Sequence, residues 1–270
     1  MRADVFLFTH GFAESRSQAA VLIGNGVYIS GKKIPKPSFI IPDDTPAHAV
    51  NIEKKLPFVS RGGLKLESAL IAFHLEVAGF CVLDIGASTG GFTDCLLRYG
   101  ADFVYALDVG HGQLAPSLSA DPRVENIEGC NARYMAPSLF SRHIDMAVTD
   151  ISFISQKLIY GAVRGLLDDG APFVSLIKPQ FEAGREKVGK HGVVSDPATH
   201  MEVLERAVSF AKKSGFGIVG IEFSPIKGPQ GNIEYLMVLT KGNPSADISS
   251  DRIKKLVESS HDELDKKEAL

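Results

Sequence analysis

The stretch CVLDIGASTGGF, Cys81 to Phe92, decides the fold. Val82, Leu83, Asp84 and Ile85 read as a buried strand ending near an acid, and Phe92 opens a helical pattern. Between them Gly86, Gly90 and Gly91 give a backbone that a ligand can approach closely, and the helix start offers free N–H groups. A tight strand-to-helix turn is the plainer use of such a loop. A phosphate loop would close on Gly-Lys-Ser/Thr, which is missing here. A dinucleotide loop prefers G-x-G-x-x-G, whereas the spacing here is Gly86-x-x-x-Gly90.

Downstream, strand and helix patterns alternate. Strand candidates lie at 81–85, 104–108, 144–149, 173–177, 217–223 and 233–239, with a weaker one at 124–127; helical stretches lie near 92–98, 155–167 and 199–214. The alternation predicts an α/β fold, Rossmann-like, with a mostly parallel sheet covered on both faces. The loop holding Pro225, Gly228, Pro229 and Gly231 is too short for a crossover helix, so the last strand is expected to be antiparallel. Upstream, residues 1–50 read as a small α+β module. Its first helix carries Val5, Phe6 and Phe8 and ends near Gly11. A second runs from the capping-box pair Ser15 and Gln18 to a stop at Gly24, and a strand–turn–strand spans Val27 to Ile34. Residues 51–60 suit a linker, 61–242 make the sheet domain, and 243–270, with five basic and seven acidic residues, read as a polar, helix-prone tail.

The chain of 270 residues is 44% hydrophobic and 23% charged, ordinary for a soluble protein. Its net charge of −3 does not mark the whole molecule as a nucleic-acid binder, but residues 1–60 hold seven Lys/Arg against five Asp/Glu, while residues 61–270 hold 22 against 27. A basic patch at the front follows. Three cysteines without C-x-x-C spacing suggest a reducing compartment, and eight histidines without a ligand-spaced cluster argue against a metal. The start Met1-Arg2-Ala3-Asp4 shows no signal peptide, and no apolar run reaches the ~18 residues of a spanning helix. A cytoplasmic, soluble protein is expected, with no membrane association.

A second stretch, APFVSLIKPQF from Ala171 to Phe181, ends a core strand in Lys178 and then Pro179. Burying an ammonium is costly, and a snorkelling gatekeeper is the simple explanation. Open α/β sheets, however, bind ligands beyond the carboxyl ends of their parallel strands. Asp84, Asp108, Asp150 and Lys178 all fall at that edge, and an antiparallel last strand starts there with Glu234. Asp108 lies 22 residues after Gly86, where a carboxylate can grip ribose hydroxyls. Lys65 lies at a predicted helix start just before the first sheet strand.

The form Asp84-x-Gly86-x-x-x-Gly90 resembles the first motif of S-adenosylmethionine methyltransferases, in which Asp84 would help accept the methionine ammonium. The order Lys65, Asp150, Lys178, Glu234 resembles the tetrad of FtsJ-like ribose 2′-O-methyltransferases. Longer strings are closer still: VSRGGLKL (Val59 to Leu66), DIGASTGGFTDCL (Asp84 to Leu96), NARY (Asn131 to Tyr134), KPQFEAGR (Lys178 to Arg185) and GNIEY (Gly231 to Tyr235). They resemble the TlyA/hemolysin A family of ribosomal RNA 2′-O-methyltransferases, which carry an amino-terminal S-four-type RNA-binding domain. The likeness covers roughly residues 1–240; Ala3 departs from the usual Arg-Leu-Asp-like start of that domain.

The resemblance implies methyl transfer to a ribose 2′-hydroxyl, a cytidine's, of ribosomal RNA, with rRNA, ribosomal subunits or the ribosome as partner. Lys178 would stand nearest the hydroxyl as base or alkoxide stabiliser, since a lysine of ordinary pKa ~10.4 is protonated and needs a neighbouring ammonium and burial to release its proton. Lys65 would position it, and Asp150 and Glu234 would orient both lysines. Asp84, Gly86, Ser88, Gly90, Gly91, Phe92, Asp108 and Asn131 would hold S-adenosylmethionine. RNA contact is expected from Arg2, Arg16, Lys32 and Lys33 at the front, from Arg61, and from Arg185, Lys187 and Lys190 in a glycine-rich loop shared with His191. Alternatives are a non-catalytic ribosome assembly factor, a cytolysin suggested by the hemolysin name, and a nicotinamide oxidoreductase.

Overall fold

Phe6, Leu7, Ala19 and Ile23 bury one face of two short helices, α1 (Ala3–Thr9) and α2 (Arg16–Gly26), against Val27, Ile34 and Ile41. The computed structural model describes residues 1–13, 15–52, 57–242, 246 and 248–266, and divides them between two units, Met1–Leu56 and Pro57–Leu270. In the first unit β1 (Val27–Ile29) pairs antiparallel with both β2 (Lys32–Lys33) and β3 (Val50–Ile52). Ser30 and Gly31, at φ 49° and 77°, make the two-residue turn whose twist suits a hairpin.

Two expectations change here. The second helix passes through Gly24 and stops only at Gly26, whose φ of 122° leaves right-handed space. The linker expected at 51–60 is cut back at both ends: Asn51 and Ile52 complete β3, and Phe58, 6% exposed, packs into the core of the second unit, while 53–56 lie outside the described residues.

The second unit runs α3 (Gly62–Ala72), β4 (Cys81–Ile85), α4 (Gly91–Arg98), β5 (Phe103–Leu107), α5 (Pro116–Ser119), β6 (Val124–Ile127), β7 (Met146–Thr149) and α6 (Tyr160–Leu166). It continues through β8 (Pro172–Ile177), α7 (Pro179–Glu182), α8 (Pro197–Lys213), β9 (Phe216–Phe223), β10 (Tyr235–Lys241) and α9 (Ser250–Lys266). The sheet order is β6-β5-β4-β7-β8-β10-β9, and β10 alone is reversed, inserted between β8 and β9. Alternate strand residues feed two cores, as a pleat requires. Leu83, Ile85, Tyr105, Phe173, Ile177 and Tyr235 face α6, α8 and α9. Val82, Val104, Val148, Val174 and Leu236 face α3, α4 and α5.

Residues 243–270 are not merely a polar tail. Helix α9 buries Ile253, Val257 and Leu264 in the core shared with α8 and β9, a helical stripe hidden among charges. After β4 the chain builds β5 and β6 on one side, then crosses to place β7 on the other. This leaves the crevice where such sheets bind ligands, at the carboxyl ends of β4 and β7.

Candidate active site

Beyond that edge lies a cavity of about 720 Å³. The loop after β4 lines it with Gly86, Ser88, Gly91 and Phe92, the end of β7 with Asp150, the end of β8 with Lys178, and the approach to β10 with Glu234. Helix α3 adds Lys65, and Arg61 stands beside it. The four proposed catalytic side chains therefore share one space, although Glu234 precedes the last strand by one residue instead of starting it.

They form two ion pairs. Lys65 Nζ donates to Glu234 Oε2 at 2.5 Å, with the side chains 7% and 1% exposed. Lys178 Nζ lies 2.5 Å from Asp150 Oδ1 as an ion pair. It also donates to Ser152 Oγ at 2.8 Å. Gln180 Nε2 reaches the second oxygen of Glu234 at 3.3 Å. Burial pushes the Asp150 carboxyl above the ordinary range, while the charges of Lys178 and Lys65 pull it back.

The glycine loop turns through left-handed conformations at Gly86 (φ 84°), Ser88 (φ 49°) and Gly90 (φ 92°). A Cβ on Gly91 would stand 2.2 Å from Ser60 Oγ and 3.0 Å from the Gly63 nitrogen, so only glycine lets α3 and α4 meet there. Asp84 lies beneath the loop, closed to solvent. Its Oδ2 accepts from Thr93 Oγ1 at 2.7 Å, its Oδ1 has no partner, and burial pushes its pKa up to about 7. Asp108 stands half-buried at the end of β5, where it accepts from the Ser88 and Gly110 nitrogens at 2.8 and 2.7 Å.

Asp84, Gly90, Asp108 and Asn131 do not line the cavity; Asn131 is exposed and its Oδ1 caps a short turn by accepting from the Arg133 nitrogen. Arg2 and Arg16 both bind the Asp4 carboxylate at 2.9 Å, with about half of each side chain still exposed. Lys32 and Lys33 are exposed on β2. Arg61 donates to the Lys227 carbonyl at 2.7 Å. Lys187 is paired with Glu202, and Arg185 and Lys190 are exposed; from that loop Val188, His191 and Gly192 reach the cavity. Sequence reasoning missed Ser152, Phe153, Gln180 and Phe181. Phe153 is 87% exposed, has φ 67°, and sets its ring 5.2 Å from that of Phe181. An aromatic directly after the strand-end acid was the available signal.

No group of three or more His, Cys, Asp or Glu among the described residues is placed to hold a metal, and none of their helices is long and apolar enough to cross a membrane. Residues 58–241 match the family model described as FtsJ-like methyltransferase. The chain is 45% identical over 239 residues to the 16S/23S rRNA (cytidine-2′-O)-methyltransferase TlyA of Mycobacterium tuberculosis, covering 88% of this chain and 89% of that protein. It is 42% identical over 238 residues to Hemolysin A of Brachyspira hyodysenteriae, covering 87% and 98%. The solved structure of a hemolysin-named protein from Streptococcus thermophilus superposes with a TM-score of 0.79 at 42% identity, covering 100% and 98%.

Proposed function

This chain belongs to the FtsJ-like methyltransferase family, and from that premise we propose that it methylates a ribose 2′-hydroxyl of ribosomal RNA, a cytidine's, using S-adenosylmethionine. The observation that carries the reading is the pair of lysine–carboxylate contacts, each 2.5 Å long, opening onto one cavity beside a glycine loop. The residues fit the methyl donor. Asp84 Oδ1 is buried and lacks a partner, as a carboxylate waiting for an ammonium would be. Gly86, Ser88, Gly91 and Phe92 would cradle the rest, and Asp108 would take the ribose hydroxyls after yielding the Ser88 nitrogen. When bound, S-adenosylmethionine supplies an electrophilic methyl group.

The chain's own residues handle the hydroxyl. An ammonium has three donors, and Ser152 Oγ takes one of those on Lys178. The remaining capacity serves the alkoxide that develops as the hydroxyl attacks. Asp150, 2.5 Å from that nitrogen and raised by burial, is the nearest proton acceptor. Lys65 and Glu234 fix the opposite wall and orient the ribose. Residues 1–50 supply an S-four-type RNA-binding domain in this reading, with Lys32 and Lys33 offered to phosphate. The basic loop from Arg185 to His191 closes over the substrate, and the protein works in the cytoplasm on ribosomal subunits.

Incubation with labelled S-adenosylmethionine and naked rRNA, subunits or ribosomes tests the reading. Label should reside on a ribose oxygen, and Lys178→Ala should cut turnover by at least a hundredfold with cofactor affinity unchanged. Label on a base, or none on RNA, defeats it.

A further inference from the structure

A second cavity, of about 460 Å³, lies on the other side of the β8 terminus, among α6, α7 and α8. Ile177 lines it and the next residue, Lys178, lines the first, because consecutive side chains of extended backbone point apart. Phe181 belongs to both and forms the wall between them. Its ring lies 6.0 Å from Lys178 Nζ on the catalytic side.

Three features of the second cavity point to one chemistry. Lys157 and Lys213 stand exposed on its rim, and Arg206 beside them is tied to the Glu182 carbonyl at 2.8 Å and to Glu202 at 3.6 Å; Glu182 is the one carboxylate lining the cavity, in a chain whose net charge is −3. Phe210, half-buried, supplies aromatic surface beside Phe181, with the buried Tyr160 ring 6.0 Å behind it. Glu182, fixed by the Ser155 hydroxyl at 2.6 Å and the Gln156 nitrogen at 2.8 Å, keeps acceptor capacity for a third donor. Cations for phosphate, rings for stacking and an acceptor for an exocyclic amine are the components of a single-stranded nucleotide site.

We propose that this cavity is a subsite for a nucleotide neighbouring the one methylated, reached by RNA that crosses the Phe153–Phe181 ridge. The inference rests on the RNA-methyltransferase reading above. The subsite holds substrate and takes no part in the chemistry, so it governs affinity and leaves the chemical step alone.

The test uses the full chain carrying Lys157→Glu and Lys213→Glu together, with an rRNA fragment as probe across a range of salt concentrations. The slope of log affinity against log salt should fall by about 1.4, since each lost single-strand phosphate contact is worth ~0.7. Affinity should drop at least tenfold at low salt, with S-adenosylmethionine binding and turnover at saturating RNA held within twofold. Ser209→Trp, which fills the rim without changing charge, should raise KM for RNA and lower the salt slope too, since an excluded nucleotide takes its phosphate contacts with it. Wild-type affinity and slope in the double variant overturn the subsite. So does a loss of binding for free cytidine monophosphate without a loss for RNA, which would mark a small-molecule site. A wild-type chain that methylates no RNA brings down the underlying reading instead, and is recognised before either variant is measured.

Discussion

Asp84 has one oxygen held by Thr93 and one held by nothing, in a place closed to water. Its pKa of about 7, far above the ordinary 3.8, means that the folded chain keeps a proton the unfolded chain gives up. The stabilisation linked to that proton is complete below about pH 3.8 and is lost as pH rises through about 7. Asp84→Asn is neutral at every pH and should gain on the wild type between pH 5 and 8, by roughly 3 kcal/mol. Chemical denaturation at both pH values measures this; parallel stabilities would show that Asp84 is already ionised. An ammonium beside Oδ1 reverses the preference, so S-adenosylmethionine should release a proton on binding and bind more tightly at pH 7.5 than at pH 5.5. Calorimetry in buffers of different ionisation enthalpy counts that proton.

At the scale of elements, the approach of α3 to α4 sets the position of Lys65. Gly91→Ala puts a methyl 3.0 Å from the Gly63 nitrogen, too close for backbone to ignore. A destabilisation of about 1–3 kcal/mol is expected, together with a turnover loss larger than the melting shift explains, because Lys65 moves with its helix. Helix α9 acts on the same site from the other face. Tyr235, the residue after Glu234, shares its hydroxyl with His200 Nδ1 at 2.8 Å and Ser260 Oγ at 3.0 Å, and all three are buried. Tyr235→Phe strands His200 Nδ1, while the Ser260 hydroxyl keeps its bond to the Val257 carbonyl, and should cost about 1–3 kcal/mol, read as a lower melting temperature. An unchanged melting temperature would mean that water replaces the hydroxyl.

Over the whole molecule, charge is divided unevenly between the ends of the chain. Exposed Lys32 and Lys33 should serve RNA capture without serving catalysis. Reversing both to Glu should flatten the salt dependence of RNA affinity while cofactor binding stays constant, and filter binding across salt checks it. How much of this was legible follows from what leaves a periodic trace. The strands showed because their alternating residues feed two cores, and Asp150 and Lys178 showed because parallel strands end at one edge. Helix α9 showed as helix-prone, but its packing did not, since Ile253, Val257 and Leu264 stand among charges whose number suggested solvent. Phe153 and the second cavity did not, because an exposed ring and a hollow depend on neighbours distant in the chain. That Arg2 and Arg16 share the Asp4 carboxylate was not legible either, because the contact depends on the packing of the two helices.

The reversed strand β10 also fixes when the enzyme can come into being. It enters between β8 and β9 after both have been made, and it delivers Glu234 to a lysine 169 positions earlier. A nascent chain that has emerged only through β9 has its glycine loop, Asp150 and Lys178, but a sheet with a gap one strand wide and Lys65 without its counter-ion. Chains fold from the amino end as they are synthesised, and closing so long a loop is slow. Activity is therefore the last property the growing polypeptide acquires, and a chain released early carries nearly all the catalytic groups and no catalytic site.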